Sequence, residues 1–310
     1  IDNRLLPADT FFVFFPPTRL KIRIFRVCLA LMTLNWLICK PKLSKNYLPN
    51  FPIFQNNMYT IALNTFREIL RSRFFSITCF FGIVMLLGII FFNILSLNQS
   101  QFIVPDFGLS FMEITGLLII LFLGNRLLSR EFEEKTIYLT LLRPISRGKI
   151  IFGKFFGFAA ILLILVLILS TILMGLMIFF EVPVTLIFGF AILGIFLKWL
   201  SLLVIILFFS IFLSGGIATF GTLAAYIVAH SGYALLEYAT MHEQAVMASV
   251  SRGILFFFPN FQALNFKELI HFSFVPSIHT VLVFAFAIGY IVILLGTSYY
   301  IFSKKSFDNI

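Results

Sequence analysis

Few residues in this chain have chemistry to offer. The most suggestive spacing is Gly148-Lys-Ile-Ile-Phe-Gly153-Lys154. Two glycines so placed before a lysine open a phosphate-cradling loop when a strand leads in and Ser or Thr follows to hold Mg²⁺. Here Phe155 follows, no strand precedes, and a long apolar stretch comes next. The spacing is read as no nucleotide site, and no cofactor is expected. His230, His242, His271 and His279 show no HxxxH or HExxH spacing, and Cys28, Cys39 and Cys79 form no CxxC pair. Neither a metal centre nor a disulfide framework is expected.

Two ionisable residues stand inside apolar runs, where charge is costly and a functional role is the default reading. Glu113 lies five residues into its run. It is read as lining a polar pathway, pairing with another helix or lying in the outer interface. Lys198 is expected to snorkel to the outer headgroups, with a place in a pathway as its other reading. Glu181, next to Pro183, reads as an outer loop residue.

The elements that must position these groups follow from composition. Of 310 residues, 60% are hydrophobic and 12% charged, and Phe alone accounts for 43. Mean hydropathy is +1.04. A soluble domain carries about 25% charge, so this chain could not cover a water-facing surface. A soluble enzyme, a disordered chain and a collagen-like fibre are excluded. What remains is an all-α, polytopic membrane protein. The net charge of +10 is no nucleic-acid footprint, because membrane proteins collect Lys and Arg on cytoplasmic loops.

From Met58 the chain reads as an amphipathic helix, residues 58–73, then six spans: 74–95, 108–125, 155–180, 190–213, 215–236 and 279–302. Each has about the residues needed to cross ~30 Å of hydrocarbon. Tyr59, Leu63, Phe66 and Leu70 share one face of the first helix, and Asn64, Arg67, Glu68 and Arg71 lie elsewhere around it. Such a helix lies on the membrane surface. The second span is short. Ahead of the fourth, the apolar run from Val184 leaves room for a short re-entrant piece. With both ends inside, 12 Lys and Arg fall on inner segments, against Arg252, Lys267 and the borderline Lys198 outside. That bias sets both termini in the cytoplasm. The outer loop 237–278 is expected to hold short helices dipping into the outer interface.

Residues 1–57 differ from the rest. They contain no Gly, six of the 11 Pro, and eight Lys or Arg against Asp2 and Asp9. The expectation is that translation begins at Met58 and that 1–57 is upstream read-through, the alternative being a disordered basic leader.

The inner loop Gly124–Lys154 carries ten charges in 31 residues. Ser129 can cap a helix whose first turn holds Glu131, Glu133 and Glu134, where the helix dipole favours anions. Arg143 falls at its end and Pro144 stops it. A second helix starts after Ser146 and runs into the third span. The picture is a helical elbow pinned to headgroups by Arg147, Lys149 and Lys154.

With these residues on the page, the chain from Met58 resembles the permease subunit of ABC-type exporters of the second type. The likeness rests on NTFREILRSRFF (64–75), VPDFG (104–108), the run from Glu131 to Lys154, and FPNFQALN (258–265). It covers about 250 residues. The resemblance implies a six-span domain, 58–310, in a prokaryotic plasma or inner membrane, forming a translocation pathway for export. It implies pairing with a second permease copy, identical or not, and docking on a separate ATP-binding cassette ATPase subunit. It further implies that the first helix, through Arg67, Glu68 and Arg71, and the elbow 126–154 couple to the cassettes. In the elbow the matching positions are Glu131, Glu133, Glu134, Thr136, Arg143, Pro144, Arg147, Gly153 and Lys154. The chain is then no enzyme itself and binds no nucleic acid. Two other classes stand as alternatives: a membrane-embedded enzyme acting on lipids or peptides, and an ion-coupled secondary transporter. The first lacks a catalytic cluster, and the second should show inverted repeats and broken spans.

Overall fold

In hydrocarbon every backbone N–H and C=O must find its partner within its own segment, so apolar runs of this length fold as helices. The computed structural model describes residues 58–71, 74–95, 100–124, 147–269 and 278–304. Among the described residues there is no strand, and there are eight α-helices. They are α1 (Met58–Arg71), α2 (Phe74–Leu95), α3 (Ser100–Ile119), α4 (Arg147–Phe179), α5 (Leu186–Phe212), α6 (Gly215–Met241), α7 (Ala245–Phe257) and α8 (Ile278–Lys304). A π-helical turn, Ile120–Gly124, extends α3. A short 3₁₀ turn, Phe266–Leu269, follows α7.

Among the described residues, five helices are long and apolar enough to cross a membrane: α2, α3 with its π turn, α4, α5 and α8. α6 has 27 residues, about 40 Å of helix, but Thr, Ser, His and Tyr side chains make it less apolar. The protein is all-helical and membrane-embedded. The expected leader, 1–57, and the expected first helix of the elbow lie outside the described residues.

The second and fourth spans differ from the sequence expectation. The second span does not begin at residue 108. Its helix starts at Ser100 and carries Pro105 within it. A proline this close to a helix start removes a single backbone bond, so VPDFG reads as a loop yet continues as helix. The fourth span has no re-entrant piece before it, because Leu186–Phe212 is one unbroken helix. The third reaches back to Arg147, as the expected second elbow helix would.

α5 lies at the centre and packs on α3, α4, α6 and α8. α6 meets its neighbours with a buried seam of Gly215, Ala218, Thr222, Ala225, Ala229 and Gly232. These recur at steps of three and four, and their small side chains let helices approach closely. Four hydroxyls inside the bundle are satisfied locally. Ser201, Ser210, Thr222 and Ser298 each donate to the carbonyl four residues back, which spares the cost of an unpaired polar group.

The connections after α4 and α6 are closed by a residue in the left-handed region, Glu181 (φ 59) and Glu243 (φ 52). In each, a backbone N–H reaches back over the helix end, Val182 to Met177 O at 2.8 Å and Gln244 to Ala239 O at 2.9 Å. This is the bonding that usually places glycine at such a position. Glu181 is exposed in this turn, as the sequence reading expected.

Candidate functional site

Glu113 lies midway along the helical run from Ser100 to Gly124. Lys198 is twelve residues from one end of α5 and fourteen from the other, about 18 and 21 Å of helix. A four-carbon stem cannot carry its ammonium group to either surface. The expected snorkelling of Lys198 is therefore corrected. Its Nζ donates to Glu113 Oε1 at 2.9 Å, with the two side chains only 1% and 4% exposed. Of the three readings open for Glu113, pairing with another helix is the one observed.

The neighbouring residue on α5 completes the joint. Trp199 is fully buried, and its indole Nε1 donates to the backbone carbonyl of Glu113 at 3.4 Å. The ring occupies a groove opened by Gly116, one turn along α3, where a Cβ would overlap the indole. Lys198 and Trp199 thus grip α3 together, one through the carboxylate and one through the backbone.

Two further elements reach the same carboxylate. Tyr226 of α6 donates its hydroxyl to Glu113 Oε1 at 3.3 Å. Lys267 of the 3₁₀ turn places Nζ 3.7 Å from Glu113 Oε2 and donates to Ser110 Oγ at 3.3 Å. Its side chain is 23% exposed. One carboxylate therefore gathers an α5 lysine, an α6 tyrosine and a loop lysine. A buried charge is tolerable only when it is paired and hydrogen-bonded in this way.

The loop that brings Lys267 here is folded into the bundle. Phe261 is fully buried, and its N–H donates to Ala229 O of α6 at 3.2 Å. The Leu264 carbonyl lies where a Cβ on Gly194 of α5 would come within 2.6 Å. Asn260 Oδ1 accepts from Ala263 N–H at 3.1 Å and tightens the turn. α7 precedes it as a short helix packed on α6, so the segment 237–278 does contain a short helix.

The expected coupling residues divide into two groups. Glu131, Glu133, Glu134, Thr136, Arg143 and Pro144 lie outside the described residues, as do the side chains of Arg71 and Arg147. Arg67 and Glu68 are exposed on α1. Gly153 lies against α1, where a Cβ would come within 2.8 Å of Ile61. One turn on, a Cβ at Gly157 would come within 2.5 Å of the Ala62 carbonyl. α1 thus rests on the start of α4 through Ile61, Ala62 and the buried Thr65 and Ile69. Of its expected apolar stripe, Phe66 and Leu70 are half-buried against the core and Leu63 is half-buried, while Tyr59 is 71% exposed. Lys149 is exposed, but Lys154 is buried, so Lys154 does not serve as a headgroup pin. The Gly148–Lys154 run is continuous helix, which leaves no loop to cradle phosphates.

Trp199, Tyr226 and Lys267 were not singled out from the sequence as partners of Glu113. One signal was available. Glu113 and Lys198 are opposite charges deep in two apolar runs, and neutralisation argues for pairing them.

A family model described as ABC-2 family transporter protein matches residues 23–307. No curated protein matches the chain.

Proposed function

The chain belongs to the ABC-2 family of transporter proteins, and on that premise we propose that it is the membrane subunit of an ATP-driven exporter. Energy comes from a separate ATP-binding cassette subunit, and the chain pairs with a second permease copy. It has six spans, α6 being the fifth, with both termini in the cytoplasm of a prokaryotic plasma or inner membrane. The excess of Lys and Arg on the inner segments supports that orientation.

The observation that carries the coupling reading is the joint between α1 and the start of α4. Close contacts at Gly153 and Gly157 make these helices one block beside the elbow. A cassette pressing on Arg67 and Glu68 of α1, or on the elbow through Glu131, Glu133, Glu134, Thr136, Arg143, Pro144 and Arg147, would move that block. α3 enters the elbow from the other side through its π turn, an irregularity often found at moving or functional points. Displacement of α3 carries Glu113 with it. Glu113 and Lys198 then line the pathway, and the loop 258–269, tied down by Lys267, closes its outer side.

The buried pair is also what an ion-coupled transporter would display. Against that reading, α3 and α5 run unbroken past Glu113 and Lys198, whereas such transporters bind ions at unwound helix breaks. Co-expression with an ATP-binding cassette protein encoded beside the gene tests the proposal. A stable complex recovered by a tag on either partner supports it, and recovery of the chain alone contradicts it.

A further inference from the structure

α3 changes character along its length. Up to Gly116 it is held by directional contacts. Glu113 pairs with Lys198 and accepts from the Tyr226 hydroxyl, and the Trp199 indole donates to the Glu113 carbonyl and sits on Gly116. Four residues beyond Gly116 the α-helix gives way to the π turn Ile120–Gly124. The side chains buried there are those of Ile120, Leu121 and Leu123, and Phe122 is exposed. Apolar burial is non-directional, so this end of the helix can turn where the part around Glu113 cannot.

A π turn bonds over five residues in place of four, and so holds one residue more than the α turn it replaces. Suppose it closes to α-helix while Glu113 and Gly116 stay clamped. The chain on its Gly124 side then turns by one residue, about 100° and 1.5 Å, and each residue there takes the place of its successor. Leu123 comes to stand where Gly124 stands now, against Ile206 of α5. That place is narrow, because a Cβ on Gly124 would lie 3.2 Å from Ile206 Cγ2. Glycine fits it and leucine crowds it. One close contact therefore keeps the turn wide and opposes the ordinary preference for α-helix.

We propose that Ile120–Gly124 is a one-residue register switch in α3. Its resting form is the π turn with Gly124 on Ile206, and its second form is continuous α-helix with Leu123 in that place. Both forms leave Glu113 on Lys198 and Gly116 on Trp199. A twist of the chain beyond Gly124 is absorbed at this joint, whereas a bodily displacement of α3 still reaches Glu113. That consequence rests on the coupling reading, but the switch itself is a property of the chain alone.

The test uses the purified full chain in detergent, in a cysteine-free background and without cassette or ATP. Its outcome is therefore separate from that of the transport reading. The pairs Gly124→Cys/Ile206→Cys and Leu123→Cys/Ile206→Cys are oxidised with copper phenanthroline, and disulfide formation is followed with time. The first pair reports the resting form and should close quickly. The second reports the other form and should close more slowly, yet to completion. Deleting Phe122 removes the extra residue, so α3 becomes continuous with Gly124 still on Ile206. That deletion should keep the wild-type unfolding midpoint and slow closure of the Leu123→Cys pair several-fold. Deleting Ile114, exposed in the regular part of α3, moves Gly116 off the indole and should lower the midpoint strongly. Equal closure of the Leu123→Cys pair with and without Phe122 would overturn the proposal. So would a loss of stability from deleting Phe122 as large as that from deleting Ile114. Failure of the Leu123→Cys pair to close with Phe122 in place would overturn it too, and that result needs no deletion variant to fold.

Discussion

Lys198 Nζ lies 2.9 Å from Glu113 Oε1, and both groups sit near the middle of helices that run the depth of the bundle. Neither charge has water to fall back on, so each depends on the other. Removing one partner of a buried pair leaves an uncompensated charge and costs about 3–5 kcal/mol. Glu113→Gln and Lys198→Met are each expected to lower the midpoint of thermal unfolding in detergent strongly. The double variant Glu113→Met/Lys198→Met should recover most of that loss. Simple additivity of the two single losses would show that the pair is not coupled.

Gly116 is the second requirement of the same joint. Any side chain there meets the Trp199 indole, and overpacking a dense core costs about 1–3 kcal/mol. Gly116→Ala should therefore destabilise the protein. Gly216→Ala, where nothing lies within 4 Å, should not. Tryptophan fluorescence should report the displaced indole in the first case alone.

Much of the bundle was legible because apolar length alone specifies a membrane helix. The third and last spans matched to within a few residues, apart from the inner extension of α4. The second did not, because Pro105 and Asp106 look like loop residues while Ser100 already begins the helix. That shift of the helix start moved Glu113 from an apparent outer rim to mid-helix. A wrong depth for Glu113 then left Lys198 without its partner. The turns at Glu181 and Glu243 carry no glycine to announce them. Tyr226 and Lys267 reach Glu113 from 113 and 154 positions along the chain, and no local pattern records such a meeting.

Lys267 is the weaker and more exposed arm of the cluster, at 3.7 Å and 23% exposure. If it ties the loop 258–269 down, Lys267→Met should loosen that loop while Lys198 keeps Glu113 neutralised. In a cysteine-free background, Gln262→Cys is expected to react several-fold faster with a membrane-impermeant maleimide once Lys267 is replaced. The thermal unfolding midpoint should move much less than with Lys198→Met. An unchanged labelling rate would remove Lys267 from the role of tether.

The most direct test of the account measures ATP hydrolysis by the proposed partner cassette in vesicles, with and without this chain. The wild type should raise the cassette's rate. Arg67→Ala/Glu68→Ala on α1, and Glu134→Ala or Arg147→Ala in the elbow, should abolish the increase while the chain still inserts and unfolds normally. Undiminished stimulation by these variants, or a cassette indifferent to the wild-type chain, would contradict the coupling of this membrane bundle to an ATPase.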